Sequence, residues 1–279
     1  MDEMFDPKAL LKTMGHPPKG APAPKKKGRS IDIEFETPAA DPGPTLEVRV
    51  EVTPRRPSGP VAALIAGGPV TEELRLLRAK LRAIDSERGL KSVGVVSAVV
   101  GEGKSTVAIG LASVLAQEPG AKVLLLEADL RRPALEEAFG LPRLPGLAEW
   151  LESGGSSIGL RRVLPAGFHL LPAGRTADGR HGELLGSERM TRLLAVARST
   201  YTFVVVDCPP VMPVADAIIL QERLDGMLFV VRERHSPRET TLRAIERLQA
   251  ERVVGIVLND HRAFMPGHYN YGGYRQPYR

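Results

Sequence analysis

From about residue 61 the chain alternates apolar runs rich in Val and Leu with stretches of helical period. Six runs read as strands: SVGVVSA (92–98), KVLLLEAD (122–129), FHLLPAG (168–174), YTFVVVD (201–207), GMLFVVR (226–232) and VVGIVLN (253–259). Their apolar character is nearly continuous rather than alternating. That is the signature of strands buried on both faces, as in a parallel sheet covered by helices. Between them the pattern predicts helices near 71–88, 104–117, 187–199, 214–222 and 237–250. The last opens with Ser236, Pro237 and Glu239, which reads as a capping box with proline in the first turn. The expected fold is α/β, a mostly parallel sheet with helices on both faces.

Residues 1–60 break this pattern. They hold eleven of the 24 prolines and the basic run KKKGR at 25–29, a composition that disfavours a packed core and reads as a mostly disordered arm. Two pieces within it alternate, IDIEFE (31–36) and LEVRVEV (46–52). Alternation allows an edge or docking strand, but the preferred reading is an extended charged linker. The other end, from 263, is rich in Gly and Tyr. Tyr269, Tyr271, Tyr274 and Tyr278 are four of the five tyrosines in the protein. Gly272, Gly273 and Pro277 among them predict a flexible tail. The organisation is an arm (1–60), one folded domain (61–262) and a tail (263–279).

Bulk composition narrows the class. No run of about 18 apolar residues is present, so no transmembrane helix is expected, and the N-terminus lacks a secretory pattern. The single cysteine, Cys208, excludes a disulfide framework and suits a reducing compartment. It reads as a small packing residue. A net charge of +5 is too small to imply nucleic-acid binding.

The chemistry concentrates after the first apolar run. SAVVGEGKST (97–106) follows a strand and opens a helix. Gly101 and Gly103 let backbone N–H groups curl around phosphate oxygens. Lys104 would reach the outer phosphates, and Ser105 would hold Mg²⁺. The helix that follows adds its positive end. The loop Val100–Thr106 is thus a candidate ATP-binding loop, comprising Val100, Gly101, Glu102, Gly103, Lys104, Ser105 and Thr106. The first glycine of the strict pattern is replaced by Ala98. Two further strand ends carry acids: Glu127 and Asp129, two apart and so on one face of an extended strand, and Asp207. Ligands of open parallel sheets bind at carboxyl strand ends. Asp129 and Asp207 should therefore converge with Ser105 on the metal and the γ-phosphate. Arg131 could steady this region or form a structural ion pair. Asn259 could touch the base or cap a strand end. His181 reads as a surface loop residue.

Taken together, these blocks resemble the bacterial tyrosine kinases of capsule and exopolysaccharide systems, across about 61–279. GEGKST is similar to their Walker A motif, EADLRRP to Walker A′ and VVVDCPPV to Walker B. EELRLLRAKL holds Glu72, Arg75 and Arg78 at the family spacing E-x-x-R-x-x-R. LLPAG, ELLGS, GIVLN and the tyrosine-rich tail also match family blocks. The resemblance implies a P-loop NTPase fold and a protein-tyrosine autokinase using ATP and Mg²⁺. Catalytic roles would fall to Lys104, Glu127, Asp129 and Asp207, and Tyr269, Tyr271, Tyr274 and Tyr278 would be phosphoacceptors on neighbouring subunits. It also implies ring assembly through Glu72, Arg75 and Arg78, and an activating inner-membrane polysaccharide copolymerase that recruits a cytoplasmic chain to the membrane. A tyrosine phosphatase would oppose the kinase.

Two places depart from the family: RTADGRHG, before ELLGS, stands where a Pro-Asn-Pro-like turn is usual, and position 127 departs as well. Glu127 stands where Asp is usual in Walker A′, and the extra methylene moves its carboxylate by about 1.5 Å, a shift of the size that lowers rates when geometry is tight. An ATP-binding scaffold without catalysis is therefore an alternative. A partition-type ATPase switch is another, although Val99 stands where that class has a lysine. VLND does not match the guanine-reading N-K-x-D of small GTPases.

Overall fold

A computed structural model describes residues 43–53, 64, 69–142, 145–176 and 179–260. The element order is β1 (Thr45–Val52), α1 (Pro69–Arg88), β2 (Ser92–Ser97), α2 (Lys104–Leu115), β3 (Val123–Glu127), α3 (Leu135–Ala138) and α4 (Leu147–Ser153). There follow β4 (Ser157–Val163), β5 (His169–Leu171), α5 (His181–Gly186), α6 (Glu188–Thr200), β6 (Phe203–Asp207), α7 (Asp216–Gln221), β7 (Gly226–Arg232), α8 (Arg238–Arg247) and β8 (Val253–Asn259).

One sheet takes in these eight strands in the order β1-β4-β5-β3-β6-β2-β7-β8. β4 and β5 run antiparallel, and the other neighbouring pairs are parallel. The continuous apolar runs are explained by two cores. Val96, Leu124, Leu126, Val204 and Val206 pack on one face of the sheet with Met190, Leu193 and Leu194 of α6. Val93, Val95, Leu125, Phe203 and Val205 pack on the other with Leu74 and Leu81 of α1 and the buried length of α2. Alternate residues of one strand thus feed opposite cores, so the polar side chains of β2, β3 and β6 stand at the strand ends, at Ser92, Ser97, Glu127 and Asp207. α2 lies close beneath α1 because of Gly110, where a Cβ would stand 2.5 Å from Leu74 Cδ1.

Four expectations are corrected. LEVRVEV is not a linker: within β1 it pairs in parallel with β4 at the sheet edge. Its backbone partner supplies the order that its charged, exposed side chains do not announce. The strand over 122–129 stops at Glu127, so Asp129 lies beyond it. The capping box is absent. Ser236 Oγ donates to Glu102 at 2.7 Å, Glu239 pairs with Arg243, and no side chain caps α8. His181 is the first residue of a short helix rather than part of a loop. KKKGR, IDIEFE and the four tail tyrosines lie outside the described residues. Among the described residues no helix is long and apolar enough to cross a membrane.

Candidate functional site

β2 sits between β6 and β7 at the centre of the sheet, and β3 lies beyond β6. The carboxyl ends of β2, β6 and β3 are therefore neighbours, and Asp207 stands in register with both Val95 and Glu127. The chain turns from β2 into α2 through Gly101 and Gly103, with φ of 89° and 92°. These are left-handed values that an L side chain resists. A side chain at Gly103 would also have to displace Asn259, since a Cβ would stand 2.0 Å from its Nδ2. Val100 is exposed, while Lys104, Ser105 and Thr106 form the half-buried first turn of α2.

Lys104 is where the three strand ends meet. Its Nζ lies 2.9 Å from Asp129 Oδ2 and 3.8 Å from Asp207 Oδ1. Burial opposes the ammonium, but the charges of Asp207 and Asp129 outweigh that and hold its pKa above the usual lysine value. Asp207 is fully buried, and burial pushes its pKa up, against the Lys104 charge and the Ser105 hydroxyl. Neither neighbour closes a hydrogen bond on it: both carboxylate oxygens are buried without a donor. A buried acid with two open oxygens, beside a hydroxyl at a helix start, fits a hard divalent cation. Among the described residues no cluster of three or more Asp, Glu, His or Cys makes a metal cage. A cation held by Ser105, Asp207 and Asp129 would thus complete its shell with water or phosphate oxygens.

Glu127 does not share this arrangement. Its Oε1 accepts from the amides of Ala134 (2.5 Å) and Leu135 (2.8 Å), and its Oε2 from that of Ala173 (3.0 Å). Burial pushes its pKa up to about 7, against those three N–H donors. The longer side chain ties the end of β3 to the start of α3 and to the segment after β5. Asp129 keeps Oδ2 toward Lys104 while Oδ1 accepts from Arg132 N at 3.1 Å. Of the two readings open for Arg131, the ion pair is found: it forks onto Asp216 of α7 at 2.7 and 3.2 Å. Cys208 is buried, and burial pushes its thiol pKa well up, which makes it a packing group.

Two of the residues expected at the nucleotide, Glu102 and Asn259, bond protein groups around the loop. Glu102 is fully buried and accepts from Val99 N at 2.9 Å and from Ser236 Oγ. Asn259 closes β8, and its Nδ2 donates to the Glu102 carbonyl at 2.8 Å. His235 and Arg232 also reach the loop, onto the carbonyls of Val100 and Gly101. These contacts join residues more than 130 positions apart, and nothing in the local sequence announces them. On α1, Glu72 pairs with Arg75, whereas Arg78 turns inward to the Val114 carbonyl (2.6 Å) and to Glu118 (3.4 Å).

The chain is 34% identical over 209 residues to the tyrosine-protein kinase YwqD of Bacillus subtilis (strain 168), a match covering 73% of this chain and 86% of that protein. It is 35% identical over 172 residues to the succinoglycan biosynthesis transport protein ExoP of Rhizobium meliloti (strain 1021), covering 60% of this chain but 22% of that longer protein. Among solved structures, the kinase domain of Escherichia coli tyrosine kinase ETK superposes with a TM-score of 0.69 at 28% identity, over 78% of this chain and 86% of that one. No protein-family profile matches the chain.

Proposed function

The chain belongs to the family of bacterial tyrosine-protein kinases, and from that premise we propose that it is an autokinase acting on its own tail. It transfers the γ-phosphoryl group of ATP to Tyr269, Tyr271, Tyr274 and Tyr278 of neighbouring subunits. The transfer regulates exopolysaccharide or capsule synthesis and export. The observation that carries this reading is the convergence of Lys104, Asp129 and Asp207 beside the glycine loop.

In the reaction, a tyrosine oxygen bonds to the γ-phosphorus. The bond from that phosphorus to the β–γ bridging oxygen breaks, and ADP leaves. Such transfers depend chiefly on positioning and charge neutralisation. Loop amides cradle the phosphates, and Lys104 exchanges its carboxylate partners for phosphate oxygens. That exchange frees Asp129 Oδ2 to accept the tyrosine proton. We assign this role to Asp129 because the oxygens of Glu127 are already taken by three backbone amides. Ser105, Asp207 and Asp129 would hold Mg²⁺, which would neutralise phosphate charge when bound.

In this proposal Glu72 and Arg75 present the self-association face of a ring, and Arg78 braces the helix that carries them through Val114 and Glu118. The partner is the cytoplasmic end of an inner-membrane polysaccharide copolymerase, which recruits and activates the kinase, and a tyrosine phosphatase resets it. The test is to incubate the protein with Mg-ATP, with and without that partner segment, and map phosphotyrosine by mass spectrometry, with Lys104→Met as control. Phosphate on the tail tyrosines, absent from the control, is the expected result. ATP binding without phosphotyrosine in either condition would leave a non-catalytic scaffold.

A further inference from the structure

Three successive carbonyl oxygens of the loop each meet a side chain from the end of β7, the turn after it, or the end of β8. The Val100 oxygen accepts from His235 Nε2 at 2.8 Å, the Gly101 oxygen from Arg232 Nη1 at 3.3 Å, and the Glu102 oxygen from Asn259 Nδ2 at 2.8 Å. The first contact requires the ring proton on Nε2. In a trans peptide the C=O and the following N–H point in opposite directions. Holding the oxygens of residues 100, 101 and 102 to one side therefore turns the N–H groups of Gly101, Glu102 and Gly103 to the other. A run of N–H groups aimed to one side is an anion-binding concavity.

The collar is braced from within. Glu102 is buried and spans Val99 N and Ser236 Oγ, so the middle of the loop is fastened to the segment that carries His235. Backbone conformation points the same way. Among the described residues, the two non-glycine residues with positive φ are Arg234 (57°) and Asp260 (54°). Each adjoins a collar residue, His235 in one case and Asn259 in the other. Such conformations cost free energy and persist where the surroundings hold them, often at functional sites.

We propose that His235 and Asn259 are positioning residues. They aim the loop's amides at an incoming polyphosphate, so nucleotide affinity depends on side chains that act through the loop rather than on the ligand. Asn259 thereby acquires a role other than contact with the base. The inference rests on the reading of the loop as a nucleotide site.

The test titrates the full chain with a fluorescent ATP analogue and Mg²⁺, in wild type, His235→Ala, His235→Gln and Asn259→Asp, and records each unfolding temperature. His235 is exposed, so its alanine variant should unfold as wild type does. Loss of one hydrogen bond should weaken nucleotide binding about fivefold. The effect should fall on KM for ATP rather than on kcat. His235→Gln keeps an N–H donor and should recover most of the loss. Asn259→Asp sets oxygen against the Glu102 oxygen and should weaken binding further. Wild-type binding matched by His235→Ala would overturn the proposal, as would a loss that His235→Gln fails to restore. No binding by wild type would overturn the nucleotide-site reading itself, and the inference with it.

Discussion

Glu127 and Asp129 are two residues apart, and the fold gives them different partners. On an extended strand both would face one way. The strand ends at Glu127, so Asp129 turns to Lys104 while Glu127 binds three backbone amides. The sequence shows two acids at a strand end. It does not show that Ala134, Leu135 and Ala173 will stand around one of them, because those amides arrive from separate segments. Aspartate at 127 is too short to reach them all. Glu127→Asp should therefore lower stability by roughly 2–4 kcal/mol, the scale of leaving buried donors unmet, which corresponds to about 5–10 °C in unfolding temperature. Activity should fall with it. An equally stable Glu127→Asp protein with a higher kcat would return the proton-accepting role to position 127. Tyr201, the tyrosine outside the tail, is accounted for at this scale too. It is buried, its hydroxyl lies 2.7 Å from His169 Nδ1, and burial pushes its pKa up to about 12. It is a structural group, out of reach of an active site.

Among the elements, legibility followed burial. β2, β3, β6 and β7 are apolar on both faces, so the sequence announces them as continuous runs. β1 and β4 carry Glu47, Arg49, Glu51, Arg161 and Arg162, and their order comes from backbone pairing with each other. That pairing leaves little trace in side-chain pattern, which is why β1 reads as a linker and β4 goes unread. The short helices α3, α4 and α5 span four to seven residues, too few for a helical period to emerge. The loop between β2 and α2 was legible as a motif, because glycines with a following lysine and serine have few other uses. Its fastening was not, since His235 and Asn259 come from distant parts of the chain, a turn after β7 and the end of β8. Gly103→Ala tests this element directly. A methyl there meets Asn259 Nδ2 at 2.0 Å and must adopt a φ of 92°. Nucleotide affinity should drop about tenfold or more; unchanged affinity, read by the same titration, would mean that the loop is not held as described.

At the scale of the whole molecule, the strand order carries the function. Placing β2 between β6 and β7, with β3 next to β6, brings three separate stretches of sequence to one edge. Each stretch alone has ordinary explanations: a glycine turn, a solvated acid, a strand cap. Their meeting at Lys104 is what argues for phosphoryl transfer. β8 closes the other flank of the loop, and the chain leaves it at Asp260 toward the tyrosine-bearing segment. The central claim is that one subunit phosphorylates the tail of another, and a mixing experiment tests it most directly. A Lys104→Met chain, which keeps its tyrosines, is incubated with Mg-ATP and a chain whose four tail tyrosines are Phe. A size tag separates the two before phosphotyrosine is measured. The account predicts phosphate on the Lys104→Met chain and none when either variant is alone. A Lys104→Met chain that stays unmodified in the mixture, while wild type modifies itself, would contradict transfer between subunits.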